Sequence, residues 1–190
     1  MDPSRRALLA TYLLAGLRLS EQMALTKEQL LFDQDLIFVD RAIKFGKNGR
    51  QTAGLPKGDK KRLAVMSPFL KKLLEDLTSE MLAQQVVWSA ASENKARMKK
   101  LVYATWRTVI KDAGLPPEMT PHDCRLTHIN WIEKLMPDVS NTTLKEHVGH
   151  SAEGVMQVNN TRPLTTAQKI LANEIEIVSG FGLKSSSKAI

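Results

Sequence analysis

The sequence predicts one mixed α/β domain, mainly helical, with a small antiparallel sheet. Three observations carry that expectation. Apolar residues recur at three- and four-residue spacing through several long segments. Two turn signals, Asn48-Gly49 and Gly58-Asp59, lie between short apolar runs. The length, 190 residues, suffices for one well-buried domain and is short for two. The domain is expected over 1–180, with 181–190 as a flexible tail.

Composition narrows the function classes. An apolar fraction of 43% is that of a globular protein and argues against disorder throughout. A net charge of +7 and a pI near 9.6 point to an anionic partner, nucleic acid being the commonest, although a merely basic surface has the same totals. The single cysteine, Cys124, forbids an internal disulfide and fits a reducing, cytoplasmic setting. No apolar run approaches the ~18 residues of a membrane span, and the first residues lack a secretory signal.

In chain order, Ser4 is read as the cap of a helix that runs to Gly16. Ser20 is read as the cap of a second, short one. Leu36-Ile37-Phe38-Val39 is a short apolar run bounded by acidic residues, the pattern of a strand. Gly46 to Arg50 holds the Asn-Gly hairpin signal, and Ala53 to Met66 reads as two strands around Gly58-Asp59. The bland alternative for this charged patch is a solvated turn. Ser67-Pro68 opens a helix carrying Phe69, Leu70, Leu73, Leu74, Leu77 and Met81. Val86-Val87-Trp88 is strand or loop. Ser92 caps a long helix ended by Gly114, with Lys95, Arg97, Lys99, Lys100 and Arg107 facing either solvent or phosphates. Thr120-Pro121-His122-Asp123 opens another: Thr120 caps, Pro121 suits the first position, and Asp123 suits the N-terminal dipole. A last helix is expected from Thr165 to about Val178.

The residues able to do chemistry gather in three places. His122 and Arg125 are three apart on the first turn of one helix and so share a face. His147-Val148-Gly149-His150 follows, its glycine marking a tight junction. Near the front, Ala15-Gly-Leu-Arg-Leu-Ser-Glu places Arg18 at a helix start. This order of motifs resembles the tyrosine recombinases, the phage-integrase family of DNA-cutting and rejoining enzymes, over roughly Ala7 to Asn160. The resemblance implies a catalytic domain in which Arg18, Lys57, His122, Arg125 and His150 surround the scissile phosphate of double-stranded DNA. Lys57 matches the family's hairpin lysine best; Lys60 and Lys61 remain alternatives for it. Such a set suits transesterification. Guanidiniums clamp the charged non-bridging oxygens bidentately, and histidine and lysine donate or move protons. No cofactor or metal is required. The resemblance also implies homo-oligomers on DNA and, in other members, an N-terminal helical domain on the far side of the duplex.

One departure qualifies that reading. The family's attacking tyrosine falls about nine residues after the glycine-histidine pair, which here is Asn159, and no tyrosine follows Tyr103. An amide cannot attack a phosphate, so the chain is expected to bind and polarise DNA without cutting it. An integrase domain with a disabled nucleophile, an inactive relative working as a DNA-binding or regulatory factor, and a relative with no remaining use for the pocket all fit. The first is preferred. A rival of another class, a zinc site from His122, Cys124, His147 and His150, is disfavoured because His122 and Cys124 point different ways on a helix and Arg125 adjoins them. His128 is read as a packing histidine and Cys124 as a small buried hydrophobe. Arg18 and Arg125 sit at helix starts beside polar neighbours, so their truncation is expected to cost little packing.

Overall fold

A computed structural model describes residues 1–45, 51–56, 61–88, 95–135 and 148–149. Its centre is helix α1 (Pro3–Ala15), on which every residue from Ala7 to Ala15 is buried. A helix apolar on all sides belongs inside a fold, and α1 packs against three other helices and one strand, introduced below. It starts two residues earlier than expected. Asp2, not Ser4, accepts from the Ser4 and Arg5 amides at 2.9 and 3.3 Å. The reason is Pro3, which has no N–H to satisfy and whose fixed φ suits the first helical position. Gly16 ends the helix at φ +59°.

Helix α2 (Leu19–Gln22) follows at once, with Arg18 in the capping position expected of Ser20. The chain then builds β1 (Leu30–Leu31), β2 (Leu36–Val39), β3 (Ala42–Phe45), β4 (Gln51–Gly54) and β5 (Arg62–Val65). These form two small antiparallel sheets where one was expected: β1-β2-β5, with Ile37 opposite Ala64, and β3-β4, with Phe45 opposite Gln51. The β3-β4 pairing bears out the hairpin; its turn lies outside the described residues. The two strands read around Gly58-Asp59 are β4 and β5, but they belong to different sheets. Burial explains the difference: β5 brings Ala64 and Val65 to the core beside apolar β2, whereas Thr52 and Ala53 of β4 are exposed.

Helix α3 (Pro68–Thr78) is capped by Ser67, whose Oγ accepts from the Leu70 amide at 3.2 Å. It buries Leu70 and Leu74 and stops before Met81. The Val87 amide donates to Leu25 O, and Val86 makes a single bridge to Thr26. Helix α4 (Lys95–Ala113) ends at Gly114, φ +63°. Helix α5 (Pro121–Leu135) opens as its sequence predicts: the Thr120 amide donates to Asp123 and the Asp123 amide to Thr120 Oγ1. Of these elements α1 touches α3, α5, α4 and β5. Tyr12 and Trp106 meet edge to face at 5.3 Å where α1 crosses α4. No described helix is long and apolar enough to cross a membrane. The expected helix 165–178 and tail 181–190 lie outside the described residues.

Candidate active site

The left-handed turn at Gly16 buries Leu17 completely and delivers Arg18 to the start of α2. Glu21, three residues on, reaches back: its Oε2 accepts from the Arg18 amide at 2.8 Å and its Oε1 from Arg18 Nη1 at 2.7 Å. The same Oε2 accepts from Nη2 of Arg62, the first residue of β5, at 2.7 Å. Arg18 Nη2 then donates to the carbonyl of Gly149 at 2.7 Å. Arg125, from α5, donates through Nη1 to Gly16 O and through Nη2 to Val148 O. Three guanidiniums and one carboxylate thus hold the ends of four segments together.

Electrostatics follow from burial. Desolvation would raise the Glu21 carboxyl, but the charges of Arg62 and Arg18 and the Arg18 amide outweigh it and hold the group below its ordinary range. Burial, then the like charges of Arg62 and Arg18, pull Arg125 down to about 9. Arg62 is lowered chiefly by burial. The cluster therefore holds excess positive charge away from water, which is what an anion would neutralise.

Gly149 is required by shape as well as by its φ of +66°. A Cβ there would stand 2.7 Å from Arg62 Cδ and Nε and 3.2 Å from Arg18 Nη1. Gly16 is under the same constraint, because a Cβ would meet His128 Cδ2 at 2.4 Å. His128 is fully buried, as a packing histidine should be, with Nδ1 bonded to Leu13 O, and burial lowers it to about 4. Cys124 is also fully buried, and burial raises its thiol to about 12.

Of the site residues expected from sequence, the structure brings Arg18 and Arg125 together on residues 148–149. His122 stands exposed on the first turn of α5, while Arg125 is drawn inward by the two carbonyls. The shared face is therefore not a shared environment, and the expectation that Arg125 is a surface arginine is corrected. Lys57, Lys60, His150 and Asn159 lie outside the described residues. Lys61 is exposed with its ammonium 5.9 Å from the Phe38 ring centre. Arg107 is exposed on α4. Of the two tyrosines, Tyr12 is buried in the core, its hydroxyl raised by desolvation, and Tyr103 is exposed on α4. Arg62, placed in the two-strand segment with no role in the site, is the residue sequence reasoning missed. The signal was strand alternation, which sets Arg62 on the same face as buried Ala64.

The model of the family described as "Phage integrase family" matches residues 2–160. The chain belongs to that family. This integrase-family chain has the mixed, mainly helical catalytic fold of tyrosine recombinases, as its sequence predicted. It is similar to the Tn1549 transposon integrase solved with transposon right end DNA, at 19% identity and a TM-score of 0.61, covering 77% of this chain and 50% of that one. XerA recombinase is similar at 19% identity and a TM-score of 0.57, covering 80% of this chain and 50% of that one. At that identity the likeness is one of fold. The integrase-family chain spans about half the length of these solved proteins. Comparison with curated proteins finds no match.

Proposed function

We propose that this chain is the DNA-binding catalytic domain of a tyrosine recombinase for site-specific recombination. In this reading it holds a phosphate of double-stranded DNA against Arg18 and Arg125. The observation that carries it is the convergence of Arg18, Arg62 and Arg125 on Gly16, Glu21 and residues 148–149. Arginine has five N–H donors in a rigid fork. Arg125 spends two on carbonyls and Arg18 two on Glu21 and Gly149, so each keeps donors for phosphate oxygens. Lys57, His122 and His150 complete the set by family position, Lys57 as acid for the leaving 5′ oxygen. Asn159 occupies the nucleophile position, so the chain binds and polarises the phosphate and leaves it intact. DNA-complex neighbours of the same fold support duplex DNA as the partner.

Duplex binding measured by anisotropy should weaken steeply with salt, by about −0.9 in log K per log salt for each phosphate neutralised. Arg18→Ala should weaken it further at every salt concentration. A flat salt titration, or unchanged binding in Arg18→Ala, removes the phosphate-clamp reading.

A further inference from the structure

We infer that Arg62 is a positioning residue: it sets the strength of the anion site by sharing the charge of Glu21. The inference rests on the phosphate-binding reading. Exposure orders the three guanidiniums. The Arg18 side chain is 22% exposed, whereas Arg62 is 5% and Arg125 2% exposed. Arg62 gives its Nη2 to Glu21 and lies beneath Gly149, so its effect passes through Glu21.

Glu21 carries one negative charge and divides it. One oxygen takes the Arg18 guanidinium at 2.7 Å; the other takes the Arg62 guanidinium at 2.7 Å and the Arg18 amide at 2.8 Å. Without Arg62, the buried carboxylate would face Arg18 alone and cancel the charge that meets the ligand. With it, the Arg18–Glu21–Arg62 group keeps one net positive charge beside Arg125. Among the described residues Glu21 is the carboxylate these guanidiniums feel. Arg62 also forms the floor under Gly149, the residue whose carbonyl Arg18 holds. Strand β5 thereby adjusts a site to which its own side chain is not exposed.

The test measures binding of a short fluorescent duplex at fixed low salt, with inorganic phosphate by calorimetry as a second probe and thermal unfolding to verify the fold. Arg62→Met should weaken both probes about tenfold, the size of one pairwise coupling of ordinary strength. Arg62→Lys keeps the charge and should stay within about threefold of the parent. The deciding variant is Arg62→Met with Glu21→Gln. It removes the opposed pair together, restores two net positive charges, and should recover the binding lost in Arg62→Met. If the double variant binds as poorly as Arg62→Met or worse, Arg62 acts by packing and the inference fails. If the double variant does not fold, an equal loss in Arg62→Lys and Arg62→Met overturns charge sharing, and retention in Arg62→Lys upholds it. If the parent binds neither probe, the phosphate-clamp reading and the inference fall together. If the parent binds but Arg62→Met is unchanged, the inference alone falls.

Discussion

Arg125 satisfies a buried guanidinium with main-chain carbonyls, Gly16 O and Val148 O, instead of a carboxylate of its own. Its position at a helix start predicts that truncation is nearly neutral; its burial predicts the opposite. Arg125→Ala leaves two buried acceptors without their donor, each worth about 1–3 kcal/mol. A loss of about 3 kcal/mol is expected, lowering the thermal midpoint by roughly 6–12 °C. A drop under about 2 °C would show the arginine to be peripheral. His128, three residues on, has a pH signature. Its folded value is about 4 against an ordinary 6.5. Above about pH 6.5 neither state binds the proton and the ring adds no pH dependence. Between 6.5 and 4 the unfolded chain binds it and the folded chain does not, so stability falls as pH falls, by about 3 kcal/mol in all. Urea unfolding at pH 7 and 4.5 should show most of that loss, and His128→Phe should flatten it. The loss for Glu21 comes lower: its carboxyl is held below its ordinary 4.5, so its contribution disappears only on further acidification.

At the scale of elements, the end of α1 meets α5 through one missing side chain. Gly16 has a positive φ and the His128 ring against the place its Cβ would fill. Gly114, at the end of α4, shares the φ sign but has nothing within 4 Å of that place. The pair separates backbone strain from packing. Gly114→Ala should cost about 1 kcal/mol, the strain of a left-handed residue. Gly16→Ala should cost about 2–4 kcal/mol, because strain and overpacking act together. Denaturant midpoints of the two variants decide it, and equal values would mean that the His128 contact yields freely.

For the whole molecule, the net charge of +7 and the buried arginine cluster converge on one expectation. In the proposed reading Asn159 stands at the position of the attacking oxygen. Asn159→Tyr should therefore create a covalent protein–DNA adduct on a nicked duplex supplied at high concentration, visible as a shifted band on a denaturing gel. A chelator should leave it unaffected, and Lys57→Ala should slow its formation by about 10²–10⁴. A tyrosine variant that binds DNA yet forms no adduct would leave this chain a DNA-binding relative of recombinases.

Much of this was legible because it is local. Thr120-Pro121, Ser67-Pro68 and Gly16 mark helix ends through their own dihedrals and donors, and the A-G-x-R, H-x-x-R and x-G-H strings carry the family on a few adjacent residues. Even so, Pro3 moved a cap from Ser4 to Asp2. What the chain could not show in order was which charges go inside. Lys60-Lys61-Arg62 can be taken for a solvated turn because charge runs usually are; Arg62 is buried because Glu21, 41 positions earlier, meets it. Arg125 turns inward because Gly16, 109 positions away, and Val148 present carbonyls to it. Strand β5 joins β2 instead of β4 because that pairing buries Ala64 and Val65 beside an apolar strand. The amino-acid sequence by itself determined several helix ends, the family and the candidate residues for the site. Only the tertiary structure decided burial and pairing, because the energy of a buried charge depends on partners that sequence spacing does not bring near.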